Sequence, residues 1–195
     1  MTLRYETLTG TDVEAALDDL ARLRITVFRD WPYLYDGDLD YERGYMASYR
    51  DAPGAILIAA YSDDRLVGAA TGTPMLDHAE AFGAPLKKAG LTPEQTFYCA
   101  ESVLLTEFRG QGAGNVFFDL REAHARTLGH SHCAFCSVLR DRDDPRRPAD
   151  YRPLDGFWAK RGYHPVDQAF ASFSWKDLGA REETEKPLQL WARKL

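Results

Sequence analysis

Three glycines fall within five residues at Gly110, Gly112 and Gly114, in the segment Arg109-Gly110-Gln111-Gly112-Ala113-Gly114-Asn115. Lacking a Cβ, glycine takes left-handed backbone angles and lets a ligand come close to the main chain. The segment leads directly into a helical pattern, so free N–H groups and the positive end of a helix dipole converge on one place. Such a place attracts an anion, above all a phosphate or pyrophosphate. Arg109 adds a fixed positive charge at the lip. A nucleotide-hydrolase loop would end in Gly-Lys-Ser/Thr, but Gly114 is followed by Asn115 and Val116. A dinucleotide fingerprint would follow the first strand with Gly-x-Gly-x-x-Gly, and neither the place nor the spacing fits.

Other residue types carry chemistry as well. Glu101 heads the apolar run Ser102-Val103-Leu104-Leu105, just before the loop. It reads either as a general base or as a structural carboxylate facing a helix end. Residues 31–51 hold the densest aromatic stretch, with Trp31, Tyr33, Tyr35, Tyr41, Tyr45 and Tyr49. Tyr41, Tyr45 and Tyr49 recur every fourth residue, so they are expected on one helix face. They either pack a core or wall a pocket rimmed by Asp30, Asp36 and Asp38. Such a pocket suits an amine or cation, with Asp30, Trp31, Tyr33 and Tyr35 as candidate contacts. Cys133 and Cys136 form a C-x-x-C preceded by His130 and His132. That stretch reads as a buried strand, on which residues three apart face opposite sides. No second ligand pair follows downstream, so no metal is expected.

These residues need a scaffold, and the patterning supplies one. Residues 3–7 alternate as a strand. A helix spans 12–29, with Ala15, Ala16, Leu20, Leu23, Val27 and Phe28 as its stripe. A second helix carries the tyrosines. Residues 55–61 and 66–73 form a hairpin about a turn at 62–65. Residues 76–95 make a helical or loop excursion broken at Gly83, Pro85 and Gly90. A long strand at 96–106 feeds the glycine loop. The following helix shows Val116, Phe117, Leu120 and Ala123 on one stripe, with Gly129 as its C-cap. Strands follow at 133–139, 168–175 and 188–192, with a short helix at 154–161. The charged, proline-containing loop at 140–153 is either a solvated connection or a lid.

The chain has 195 residues, 45% of them hydrophobic and 28% charged, as in a soluble globular protein. One domain over residues 1–195 accommodates this length. No apolar run reaches membrane-spanning length and the first residues lack a signal pattern, so no membrane and a cytoplasmic location are expected. The net charge of −6 argues against nucleic acid as partner. Three cysteines fit a reducing compartment.

The spacing Arg109-x-x-Gly112-x-Gly114, after a strand and before a helix, resembles the acyl-CoA pyrophosphate loop of the GNAT superfamily of N-acetyltransferases. The order of elements is similar to that family's from end to end. The resemblance implies an α/β fold with a splayed mixed sheet of about seven strands flanked by about four helices. It implies acetyl-CoA as co-substrate. Ser102, Val103 and Leu104 would contact pantetheine and the thioester. The N–H groups of Gly110, Gln111, Gly112, Ala113, Gly114 and Asn115 would hold the pyrophosphate. The N–H of Leu104 would be the oxyanion donor. Phe157-Trp158-Ala159-Lys160-Arg161-Gly162-Tyr163 resembles the family's Phe-Tyr-x-x-x-Gly-Phe segment. There the tyrosine often protonates the leaving thiolate. Trp158 stands at its position, beside the cofactor, so Tyr151 or water is expected to act as acid. The implied reaction is attack by a primary amine, of a small molecule or an amino terminus, with Glu101 as base. Trp158 also admits a catalytically silent acyl-CoA-binding module. A homodimer through an exposed C-terminal strand at 188–195 is a further expectation.

Overall fold

The computed structural model describes residues 2–195. Seven strands form one sheet in the order β1-β2-β3-β4-β5-β7-β6. β1 (Arg4–Leu8), β2 (Ile56–Ser62), β3 (Arg65–Pro74) and β4 (Thr96–Leu104) pair antiparallel in succession. β5 (His132–Val138) joins β4 in parallel, and β7 (Glu183–Lys194) lies antiparallel between β5 and β6 (His164–Lys176).

β2 reads ILIAAYS and is buried almost throughout because both faces of the sheet are covered. Leu57 and Ala59 pack with Leu20, Leu23, Phe28 and Met46, from α1 (Thr11–Phe28) and α2 (Leu39–Asp51). Ile56, Ile58 and Ala60 face the other way, onto Phe117 and Ala125 of α4 (Ala113–Thr127). α3 (Ala79–Lys88) brings Phe82 and Leu86 against Ala134, Ala171 and Leu190, while Phe157 of α5 (Asp155–Lys160) meets Phe118 of α4.

Two features of β4 position the site. Thr71 pairs with Glu101 but Thr73 pairs with Tyr98, so β4 spends one more residue than β3 over this stretch. This β-bulge breaks the alternation of side chains. Tyr98, Glu101 and Val103 therefore face α1–α3, while Cys99, Ser102 and Leu104 face α4. The second feature is a gap. β4 and β5 pair only at Thr96–Tyr98 with His132–Ala134. Beyond Tyr98, β4 stays with β3 and β5 stays with β7, and the two strands part.

Several expectations are corrected. Five α-helices flank the sheet, and the excursion after β3, left open as helix or loop, resolves into a 3-10 turn at Met75–His78 and α3, with Pro85 inside the helix. α1 starts at Thr11 and ends at Phe28 rather than spanning 12–29, with Gly10 as its N-cap. Tyr41 is exposed at 63%, whereas Tyr45 and Tyr49 pack inward, since eight residues of helix turn the face by most of a right angle. Ala123 of α4 is exposed, and the buried stripe contains Arg121 and Glu122 instead. The last two strands run longer than the apolar pattern because the polar Glu183–Lys186 stretch pairs with residues 173–176. The C-terminal strand is interior to the sheet and offers no free edge for a dimer.

Candidate active site

β4 ends in a 3-10 turn at Thr106–Phe108, and the chain then enters the glycine loop. Gly110 has φ 77° and Gly112, the N-cap of α4, has φ 91°. A Cβ at either would meet nothing within 4 Å, so the backbone angle and not crowding calls for glycine there. Gly114 differs: a Cβ there would sit 3.2 Å from the Phe157 ring, so it serves the packing of α4 on α5. The N–H groups of Asn115 and Val116 turn back to the Gly112 carbonyl. Those of Gly110, Gln111, Gly112, Ala113 and Gly114 have no partner among the described residues. Five free donors thus gather at the positive end of a 15-residue helix. Asn115 is set apart from the expected donors by its main chain, and its side-chain oxygen accepts from Arg161 at 3.0 Å. Arg109 donates through Nε to the Leu104 carbonyl at 3.1 Å, and its Nη2 lies 3.9 Å from Asp30.

The strand gap supplies the next donors. The Leu105 N–H bonds the Val67 carbonyl of β3 at 2.9 Å. Main-chain direction alternates along a strand, so the N–H groups of Ser102 and Leu104 point away from β3, into the gap. Arg121, 1% exposed, fixes the bulge from behind. It donates to the carbonyls of Thr71 and Glu101 and to Ser102 Oγ.

On the opposite face lies a cluster of side chains. Glu101 is ion-paired with Arg24 of α1, which also holds Glu42 of α2. Thr71 Oγ1 donates to Glu101 Oε1 at 3.3 Å. The Arg24 guanidinium lies 4.4 Å from the Tyr45 ring centre and 5.0 Å from that of Phe28. Burial, and then the Glu42 charge beside it, push the Tyr35 phenol up. Burial first, and the Glu101 charge next, push the Tyr33 and Tyr45 phenols well up and Tyr49 up to about 12. These phenols stay neutral beside the carboxylates, and the Tyr45 and Tyr49 hydroxyls lie 3.1 Å apart.

The residues between α1 and α2 are strapped over this cluster. Arg140 donates to the carbonyls of Pro32 and Tyr33 at 2.8 and 2.7 Å and grips Asp177 with both Nη atoms. Trp175 Nε1 adds a 2.9 Å bond to the Tyr33 carbonyl. Arg146 joins Asp177 at 3.0 Å, so the 140–153 loop is tied to the fold rather than solvated along its length. It brings the Tyr151 ring edge-on to Trp31, with centroids 6.2 Å apart. Burial opposes the charge of Asp177, but the Arg140, Arg146 and Lys186 contacts outweigh it and hold its carboxyl down to about 2.

Of the residues expected in the site, Glu101, Tyr33 and Tyr35 therefore belong to one polar cluster. Trp31 and Tyr151 meet at its roof, and Asp30 faces Arg109. Trp158 is on the other side of the sheet, against Phe135 and Trp191 with centroids at 5.0 and 5.2 Å. Cys133 and Cys136 face opposite sides of β5. No group of three or more His, Cys, Asp or Glu side chains suited to a metal occurs among the described residues. Arg24, Glu42, Thr71 and Arg121 were not anticipated. The available signal was a charged residue inside an apolar helix stripe, as with Arg24 between Leu23 and Val27. A wide concavity of about 560 Å³ between β1 and α1 carries Glu6, Asp12 and Asp19, a lining that repels an anionic carrier.

No family model and no curated protein matches the chain. Solved structures do match over its whole length. An acetyltransferase of the GNAT family from Streptococcus pneumoniae is 10% identical, with a TM-score of 0.59 and 100% of both chains covered. PaiA N-acetyltransferase from Thermoplasma acidophilum, in complex with coenzyme A, is 12% identical over 100% of both chains, with a TM-score of 0.56. An aminoglycoside 6'-N-acetyltransferase complexed with coenzyme A is 16% identical, with a TM-score of 0.61, over 100% of this chain and 97% of the other. The chain has the GNAT fold.

Proposed function

We propose that this chain is an acetyl-CoA-dependent N-acetyltransferase acting on a primary amine of a small molecule or an amino terminus. The observation that carries the reading is the set of five N–H groups at residues 110–114 without a partner among the described residues, at the start of α4 and just past the end of β4, whose edge has parted from β5. An anionic carrier with an amide-bearing arm fits that donor set: its diphosphate meets the loop, and its amides meet the strand edge. Acetyl-CoA, when bound, supplies an activated acyl group. The chain does the rest. Gly110, Gln111, Gly112, Ala113 and Gly114 hold the diphosphate, with Arg109 at the lip. Ser102 and Leu104 align the arm, while Val103, expected beside them, turns its main chain to β3; the Leu104 N–H is the oxyanion donor. Glu101 takes the proton of the arriving ammonium. Tyr151, a phenol kept neutral by burial and then by Asp155, provides the acid that Trp158 lacks. Asp30, Trp31, Tyr33 and Tyr35 border the path of the acceptor.

A thiol-release assay with acetyl-CoA and an amine panel tests this reading. The expected result is amine-dependent release well above hydrolysis. One observation favours a second reading, a silent acyl-CoA-binding module. Trp158 is wedged between aromatic rings and presents no proton at neutral pH. Tight acetyl-CoA binding without release in the presence of any amine would select that reading.

A further inference from the structure

The strap between α1 and α2 is held in two different ways. Its second half is tied through main chain. The Asp36 N–H donates to the Lys176 carbonyl at 2.9 Å, the Tyr35 N–H to the Phe28 carbonyl at 2.8 Å, and the Leu178 N–H to the Leu34 carbonyl at 2.7 Å. At residues 32 and 33 the ties come from side chains instead. No main-chain donor reaches the Pro32 or Tyr33 carbonyl among the described residues. Arg140 takes the first through Nε and the second through Nη2, and Trp175 Nε1 shares the second. Both Nη atoms of Arg140 also hold Asp177, at 2.8 and 2.9 Å, so all three guanidinium nitrogens are engaged. Arg146 and Lys186 anchor Asp177 in turn, at 3.0 and 3.3 Å. The next residue, Leu34, has φ 53°, a left-handed angle that a leucine seldom takes. Such a conformation persists only where its surroundings fix it.

We propose that Arg140 is the positioning residue that sets which amines the site accepts, by fixing the strap at Pro32 and Tyr33. The inference rests on the acetyl-transfer reading, in which Trp31 and Tyr33 border the path of the acceptor. Arg140 touches no reacting atom. It acts through two successive carbonyls, and so through the rings on either side of them. The Tyr33 ring is held 4.3 Å from the Phe28 ring centre and 5.9 Å from that of Trp175, and Trp31 meets Tyr151. With these rings fixed, the acceptor must fit the space beside them. A branch next to the nitrogen widens an amine at the end that must approach the thioester, so the fixed wall favours unbranched primary amines. Without Arg140 the main-chain ties at residues 34–36 remain and the fold is kept. The rings of Trp31 and Tyr33 then gain freedom, and the site distinguishes less between amines.

The test uses acetyl-CoA with two acceptors from the panel, an unbranched primary amine and its counterpart with a methyl group next to the nitrogen. Acceptor KM, kcat and acetyl-CoA affinity are measured for wild type, Arg140→Met and Arg140→Lys. Wild type should prefer the unbranched amine by about tenfold in kcat/KM, the low end of what one methylene is worth in a fixed pocket. Arg140→Met should bring that preference toward one. It should also raise the acceptor KM about tenfold, inside the roughly hundredfold that a misplacement of about 1 Å can cost. A variant that merely loses folded protein slows both amines by one factor and leaves KM and their ratio alone, so these two readouts separate positioning from stability. Arg140→Lys keeps the charge but not the planar fork and should behave like Arg140→Met. Acetyl-CoA affinity, read by calorimetry, should stay within about twofold, since no bond of Arg140 reaches residues 110–114. If Arg140→Met fails to fold, Trp175→Phe, which removes one donor from the Tyr33 carbonyl, should shift KM and the ratio the same way by a smaller factor. Wild-type KM and an unchanged ratio in the folded variant, or wild-type behaviour restored by Arg140→Lys, would overturn the assignment while leaving acetyl transfer intact. Absence of turnover in wild type with every amine of the panel would remove both the reaction and the assignment.

Discussion

The anion cradle at residues 110–114 is built from main chain, whereas the acceptor side around Glu101 is built from side chains of α1, α2, β3 and β4. The cradle needs only backbone angles and a helix start, and these come from one short stretch. The acceptor cluster needs Arg24, Glu42, Thr71 and Glu101 together, residues spread over 78 positions whose meeting depends on the sheet and its bulge. The cradle therefore tolerates wide change elsewhere, but the cluster fails when any member is lost. Its charges sit in a poorly solvated place, where an uncompensated carboxylate is costly.

Breaking each side separately sharpens the contrast. Glu101→Gln should lower kcat by about 10²–10⁴-fold, the usual worth of a general base. Acetyl-CoA affinity should hardly move; equal rates with the wild-type pH profile would take Glu101 out of the base role. Arg24→Met should leave two buried carboxylates without their guanidinium and cost about 3–5 kcal/mol of folding stability, read by urea unfolding. The same change at exposed Arg22 should cost under about 1 kcal/mol. On the main-chain side, Gly112→Val forces a β-branched residue to φ 91°. The strain of about 1–2 kcal/mol should appear as a roughly five- to thirtyfold rise in acetyl-CoA Kd. Unchanged affinity by calorimetry would speak against the cradle.

The smallest effect concerns the strap. The Asp177 carboxyl is held at about 2 in the folded chain, below its ordinary value of 3.8. A lowered folded value contributes stability that is full above the ordinary value and is lost as pH falls toward about 2. Asp177→Asn should flatten the thermal-stability profile between about pH 4 and pH 2, where wild type declines. Identical acid profiles for the two proteins would remove Asp177 from that role.

The two sides also differ in how far the amino-acid sequence discloses them. Gly110, Gly112 and Gly114 announce a loop with special angles, and the strand before and helix after are plain in their apolar periods. The splay is expected only through the resemblance that this stretch carries, not from residue types. The acceptor side is less legible. Strict alternation would place Glu101 beside Cys99 and away from Tyr98, and a bulge leaves no clear mark in residue types. Tyr41 shares the four-residue spacing of Tyr45 and Tyr49 yet turns to solvent, because the helix period is 3.6 and not 4. Arg24 and Arg121 look like surface residues by type, and only their apolar neighbours betray burial. The polar strand residues 183–186 resemble a loop until their partners across the hairpin are known.

The central claim is that main-chain donors at the start of α4 grip the diphosphate and that the edge of β4 receives the arm. Amide hydrogen exchange of the nitrogen-15-labelled chain, with and without acetyl-CoA, tests it directly. Slowed exchange at residues 110–114 together with Ser102 and Leu104 is the expected result. Unchanged exchange at these amides, with protection appearing instead along the concavity between β1 and α1, would contradict it.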